Sequence, residues 1–252
     1  MQIQIISKDE FLKKVKPLDC FFIHGNSPFN KITDLLQSNI TNDSSEVKVS
    51  HTGIILNNSM IERDVFKNTI SKKSNYSITN AYQPFALHMS IPGDQLFWNA
   101  IKTLIPFYGI PKQQSDALSV DEIKTVLNSI ENSDVLFYWV PLKNDVTGNE
   151  NVKIRLNQFL RDHPYIPYEQ NIADVLHTIS GMFGFFKKWF GNKKNMTCSE
   201  LVVRIYQFIG IMPKDIDPNT VYPSELLYKN HSDDEKMKNM DDIFGNIIYK
   251  VV

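Results

Sequence analysis

The chain has 252 residues, 42% hydrophobic and 22% charged, with 10 Gly and 12 Pro, which is apolar material for a full core and excludes a disordered or linker-rich protein. A formal charge of -1 excludes any global attraction to nucleic acid or anionic lipid. Two cysteines, Cys20 and Cys198, exclude a disulfide framework, and without CxxC, HExxH or a Cys/His cluster no metal or organic cofactor is implied.

The opening, MQIQIISKDEFLKKVKPLD, has acids and lysines where a signal peptide needs an apolar run, and no stretch of about 18 apolar residues exists to cross a bilayer. Synthesis in the cytoplasm is expected; an export signal read by a receptor would leave no such trace. Residues 4–15 read as a short helix, PLDCFFIHG as a buried strand and SPFNKITDLLQSN as a helix. EVKVSHTGIILNNSMIERDVF alternates and breaks at Asn57-Asn58-Ser59, a hairpin signal because Asn tolerates positive φ. Residues 66–90 are polar and aromatic without a clear period. Helices are expected at 92–107 and 119–131, the second opened by the capping box Ser119/Glu122. DVLFYWVPL is a strand and ENVKIRLNQFLRDH an amphipathic helix.

TCSELVVRIYQFIG is the best-signposted helix in the chain: Thr197 with Glu200 forms a capping box, an apolar stripe follows, and Gly210 supplies a left-handed stop. Beyond it come Pro213, Pro218 and Pro223, a short PSELLYK helix, a charged run at 231–242 that reads as solvated surface, and a last strand, NIIYKVV. The expected fold is α+β, one domain over 1–252, with an antiparallel sheet packed on the Cys198 helix and a helical insertion at about 66–131.

Cys198 is the first residue of its helix, where unpaired amides and the helix dipole favour a thiolate over a thiol. If the hairpin turn is Asn57-Asn58, then His51, Gly53 and Glu62 share a face, and Glu62 is the diagonal neighbour of His51 with Gly53 leaving the space between them open. A carboxylate there would orient the imidazole; Asp64, directly opposite His51, competes for the role. Thiol, imidazole and orienter are the parts of a cysteine nucleophile site. Each has a plain structural alternative: free cysteine is among the most buried residue types, and a strand histidine is more often packed than reactive. Cys20, inside an apolar strand, reads as packing.

PLDCFFIHG, SHTGIIL…MIE and TCSELVVRIYQFIG, in that order, resemble the circularly permuted papain-like proteins related to the NlpC cysteine hydrolases, in particular the YiiX-like group, with lecithin:retinol acyltransferase a more distant relative. The resemblance covers about half the chain. It implies Cys198 as nucleophile, His51 as general base and Glu62 as third polar residue, and it aligns IPYEQN, hence Tyr168, with the family's approach to the cysteine. Leu18 departs from the pattern, standing where the family has Gly before Asp19, and the stretch at 66–131 is longer than a minimal member needs.

GMFGFFKKWFGNKK precedes the nucleophile helix and sets Met182, Phe186, Trp189 and their neighbours beside Lys187, Lys188, Lys193 and Lys194. It reads either as a core-packed helix with lysines snorkelling outward or as an interfacial lid, 182–190, touching lipid or an acyl chain; Phe186 and Trp189 are then substrate-binding candidates with Tyr168. The expected activity is cysteine-dependent hydrolysis of an amide or ester, of a lipid or a peptide, through an acyl-enzyme. The alternatives are an acyltransferase of the lecithin:retinol type and a catalytically silent module that binds lipid or protein. Nucleic acid is not an expected partner, since the basic residues are scattered.

Overall fold

The computed structural model describes residues 2–24, 49–73, 83–89, 118–131, 135–164, 166, 197–221, 223–227 and 243–252. It is a mixed α+β fold around a seven-stranded sheet. The strands are β1 (Gln2–Ile6), β2 (Cys20–His24), β3 (His51–Leu56), β4 (Phe85–Met89), β5 (Leu118–Glu122), β6 (Leu136–Val140) and β7 (Ile247–Val251), in the order β1-β7-β6-β2-β3-β4-β5. All neighbours are antiparallel except β1 and β7. The helices are α1 (Lys8–Lys14), α2 (a continuous run of short turns, Arg63–Val65, Phe66–Ile70 and Ser71–Lys73), α3 (Ile123–Glu131), α4 (Glu150–Asp162), α5 (Cys198–Ile209) and α6 (Pro223–Leu227).

Because strand side chains alternate, the sheet has two apolar faces. Cys20, Phe22, Ile54, Leu56, Leu87 and Val140 pack under α4 and α5. Phe21, Ile55, Ala86, Phe137 and Trp139 pack with Phe11 of α1 and with Ile123 and Leu127 of α3. The expected helix over 4–15 divides into β1 and α1. Ser7 makes the division: its backbone is extended and its hydroxyl accepts the Glu10 amide at 3.2 Å, so the alternating Gln-Ile-Gln-Ile before it is free to join β7.

Three expectations on the strand-rich part need correction. No hairpin follows β3. Asn57 stays extended (φ -144°) and its side chain accepts the Ser59 amide at 3.1 Å, starting a 3-10 turn over Asn58–Met60. Residues 60–62 then turn to α4, where buried Asn157 donates to the Met60 carbonyl at 2.8 Å and accepts the Glu62 amide at 2.7 Å. One side-chain amide thus takes the backbone groups that a returning strand would have offered to β3. Second, the stretch 66–131 is not wholly an added helical piece, because β4 and β5 lie within it and both belong to the sheet. Third, Ser119 and Glu122 both sit in β5, so the expected capping box does not form; α3 begins at Ile123, and the Glu122 carboxylate before it accepts the Thr125 hydroxyl at 3.3 Å. The expected helices at 27–39 and 92–107, the aromatic segment 182–190 and the charged run 231–242 lie outside the described residues.

The expected β2, β6, α4, α5, α6 and β7 are present within a few residues of their expected bounds. Asp19, at the entrance of β2, ties the centre of the sheet together. Its buried carboxylate accepts the Lys16 amide, the Trp139 indole N–H and the Leu142 amide, each at 2.9 Å. Leu18 before it has φ +72°, the left-handed region that favours glycine, and it is the position where the resembling family carries Gly. Complete burial of the leucine side chain offsets that backbone cost. Among the described residues no helix is long and apolar enough to cross a membrane.

Candidate functional site

Helix α5 is fixed at both ends before its first residue can matter. The capping box forms in both directions between Thr197 and Glu200, and Gly210 ends the helix at φ +82°. Glu200, almost fully buried, also holds Arg204 at 2.7 Å. Along the helix, the Tyr206 hydroxyl donates to the Leu18 carbonyl, joining α5 to the turn before β2, and Ser199 donates to the Val221 carbonyl at 2.7 Å. These bonds set the helix N-terminus against β3.

There the sulfur of Cys198 is faced by three backbone amides, those of Thr52, Ser199 and Cys198 itself. The Thr52 amide is available because the β3–β4 ladder runs from Gly53↔His88 to Leu56↔Phe85 and stops short of Thr52. Cys198 is 6% exposed. Burial pushes its thiol above the ordinary range, and the three amides pull the other way without overcoming it. This corrects the expectation of a thiol lowered by the helix terminus: the resting side chain is a thiol. Cys20, buried beside Tyr206, is pushed up to about 12, chiefly by desolvation.

His51 is the residue before Thr52. Its Nε2 lies 3.0 Å from Nδ1 of His88, and Nε2 of His88 lies 2.7 Å from Oδ2 of Asp121, which also takes the Ser119 hydroxyl at 3.1 Å. The two imidazoles meet nearly edge-on, 81° apart at 5.1 Å between centroids, over the ring of Phe21. Burial, followed by the neighbouring His88, pushes His51 from its ordinary 6.5 down to about 3, so the resting imidazole is neutral. The hydrogen bond from His88 holds the Asp121 carboxyl below its ordinary range.

Gly53 makes this packing possible. A Cβ there would come 2.6 Å from the Phe21 ring and 2.7 Å from both His88 Cβ and the Leu87 carbonyl. The space left by Gly53 was expected to admit Glu62; Phe21 and His88 fill it instead.

Glu62 is not beside His51. It pairs with Arg161 of α4, which also holds Asp64 at 3.0 Å and keeps that carboxyl below its ordinary range. Neither acid is a partner of the imidazole, because the chain leaves the sheet after Leu56. Tyr168, Phe186 and Trp189 lie outside the described residues. The structure therefore brings Cys198 to the residue next to His51, separates Glu62 from both, and adds His88 and Asp121. His88 lies 37 residues beyond His51 and Asp121 a further 33 residues on, and no local pattern pairs them. The one available cue was a polar residue inside the apolar run FALHM.

Cys198 packs in the core under α5, whereas His51 and His88 sit on the Phe21 face; the sulfur meets the sheet where the ladder ends, one residue along from His51. Backbone amides act on the sulfur, and the hydrogen-bond partner of His51 is His88. The arrangement can hold a neutral thiol, a neutral imidazole with an oriented ring, and amide donors around the reacting sulfur. A scan against family models finds no match for this chain, and neither does a search of curated proteins.

Proposed function

We propose that this protein is a cysteine-dependent hydrolase of the permuted papain-like kind, with Cys198 as nucleophile and His51 as general base. The observation that carries the reading is the setting of Cys198, the first residue of α5, against Thr52, the residue after His51 in β3, with the His51 ring oriented through His88 on the other face of the sheet. The α+β sheet with the nucleophile helix laid on it supports the same family reading.

The resting pair being neutral, the proton moves during attack and not before it. Sγ bonds to the carbonyl carbon of an amide or ester while its proton passes to Nδ1 of His51, a transfer that requires the two side chains, which rest on opposite faces of the sheet, to be brought within reach of each other. The Cys198 amide and a second amide of the cluster donate to the oxyanion. The tetrahedral intermediate collapses with the proton returned to the leaving amine or alcohol, giving an acyl-enzyme. Water, activated by the same imidazole, releases the acid and restores the thiol. An amine or alcohol in place of that water makes the reaction an acyl transfer.

The test is iodoacetamide alkylation of Cys198 in a Cys20→Ser background across pH, with a panel of acyl amides, esters and peptides assayed in parallel. The expected result is alkylation that slows about tenfold or more in His51→Ala, with turnover of at least one panel member abolished by Cys198→Ala. Alkylation indifferent to His51, with no turnover, overturns the proposal.

One observation favours a second reading, a silent binding module on the same fold: among the described residues no hydrogen bond joins Cys198 to His51. That reading is distinguished by ligand binding that survives Cys198→Ala unchanged.

A further inference from the structure

We propose that Asp121 is a positioning residue that sets the tautomer of His51 through His88, leaving Nδ1 of His51 as the bare nitrogen. The purpose of this device rests on the hydrolase reading; its geometry does not.

A carboxylate only accepts hydrogen bonds, so Oδ2 of Asp121, 2.7 Å from Nε2 of His88, requires the proton to be on that nitrogen. A neutral His88 then presents a lone pair at Nδ1. That lone pair faces Nε2 of His51 at 3.0 Å, which must donate to it. With one proton and that proton on Nε2, His51 has Nδ1 unprotonated. For a neutral His88 the constraint passes across three adjacent strands, from β5 through β4 to β3: Ser119 donates to the same carboxylate oxygen, and both rings meet Phe21. The ionisable groups bonded to His88 are His51 from β3 and Asp121 from β5.

Replacing Asp121 by Asn allows the direction of donation to reverse, because a carboxamide can turn its NH2 as well as its oxygen to Nε2 of His88. The Asn amide donates to Nε2 of His88, whose proton moves to Nδ1 and is donated to Nε2 of His51, so that Nδ1 of His51 becomes protonated and can no longer accept the thiol proton. Asp121 is half-exposed, with 36% of its side chain accessible, so the isosteric variant tests the hydrogen-bond pattern rather than the core.

The experiment is long-range proton–nitrogen correlation NMR of the histidine rings in the full chain, assigned by single substitutions, with Cys198 alkylation by iodoacetamide measured on the same samples. The wild type is expected to carry Nε2–H on both His51 and His88, Asp121→Asn to carry Nδ1–H on both, and Asp121→Ala to show a mixture. A wild-type His51 protonated at Nδ1, or ring nitrogens unchanged in both variants, overturns the proposal. The alkylation arm judges the hydrolase reading separately. If the tautomers behave as expected while neither His51→Ala nor Asp121→Asn slows alkylation by about tenfold, the relay stands and the hydrolase reading falls. If His51→Ala slows alkylation and the tautomers ignore Asp121, the reading stands and the relay falls.

Discussion

A single methyl group at Gly53 would collide with the Phe21 ring, with His88 and with the Leu87 carbonyl, and two of those three cannot move without moving a strand. Gly53→Ala is therefore expected to cost about 1–3 kcal/mol by overpacking and to pull His88 away from His51. Urea unfolding reads the first effect and the His51 ring shifts read the second; an unchanged ring pair would mean that Phe21 alone absorbs the methyl. The glycine was visible in the sequence, and so was the open space it leaves, where Glu62 was expected. What sits there was not, because β4 arrives from a run whose own pattern says only that it is apolar. Cys20 and Cys198 differ for a reason equally local to their surroundings. Cys20 faces Tyr206 in the core, whereas Cys198 faces amides at the end of a ladder. Limited alkylation followed by mass analysis is expected to label Cys198 before Cys20, and labelling in the reverse order would refute that ranking.

At the scale of elements, α5 was legible nearly to the residue because its signals are carried by neighbours in sequence: a cap three residues from its partner, a stripe at helical spacing, and a glycine stop. Thr197→Ala removes the hydroxyl side of the capping box and is expected to lower stability by about 1 kcal/mol. Since Cys198 is the next residue, the same change should loosen the sulfur from the Thr52 amide and raise its alkylation rate; a stable variant with unaltered reactivity would show that Tyr206 and Ser199 alone hold the helix in place. The segment after β3 was illegible for the opposite reason. Asn57-Asn58 is a sound turn signal, yet a turn signal does not say what the chain meets beyond it. Asn157, almost a hundred residues on, takes the backbone of 60–62 and draws Glu62 to Arg161. Asn157→Leu leaves two backbone groups without that partner and is expected to cost about 2–3 kcal/mol in urea unfolding. A cost near zero would place the hold on the segment in Met60 and Ile61 instead.

For the whole molecule, two buried ionisable groups act against each other in acid. His51 is depressed to about 3, so the fold resists protonation that the unfolded chain accepts from pH 6.5 downward; this contribution is present above pH 6.5 and is lost as pH falls toward 3. Asp19 is raised to about 6 by burial, so its contribution is full below its ordinary 3.8 and is lost as pH rises through 6. Between these limits one slope offsets part of the other. His51→Gln deletes only the first, and its unfolding midpoint is expected to fall less than that of the wild type between pH 6.5 and 4. Parallel curves would assign the acid sensitivity to other groups.

The position of β7 between β1 and β6 has a kinetic consequence. Residues 2–6 reach the sheet only through residues 247–251, so their pairing closes nearly the longest loop the chain can make, and loop closure of that kind is deferred until a nucleus of nearer contacts exists. The β2–β3 pair with its flanking strands is the natural nucleus, and the β1–β7 margin should zip on after the rate-limiting step. Ile248→Ala in β7 would then accelerate unfolding while leaving the refolding rate nearly unchanged in stopped-flow experiments, whereas Ile54→Ala in β3 would slow refolding. The half of the sheet that carries His51, His88 and Asp121 would thus be formed before the chain's first strand has found its place.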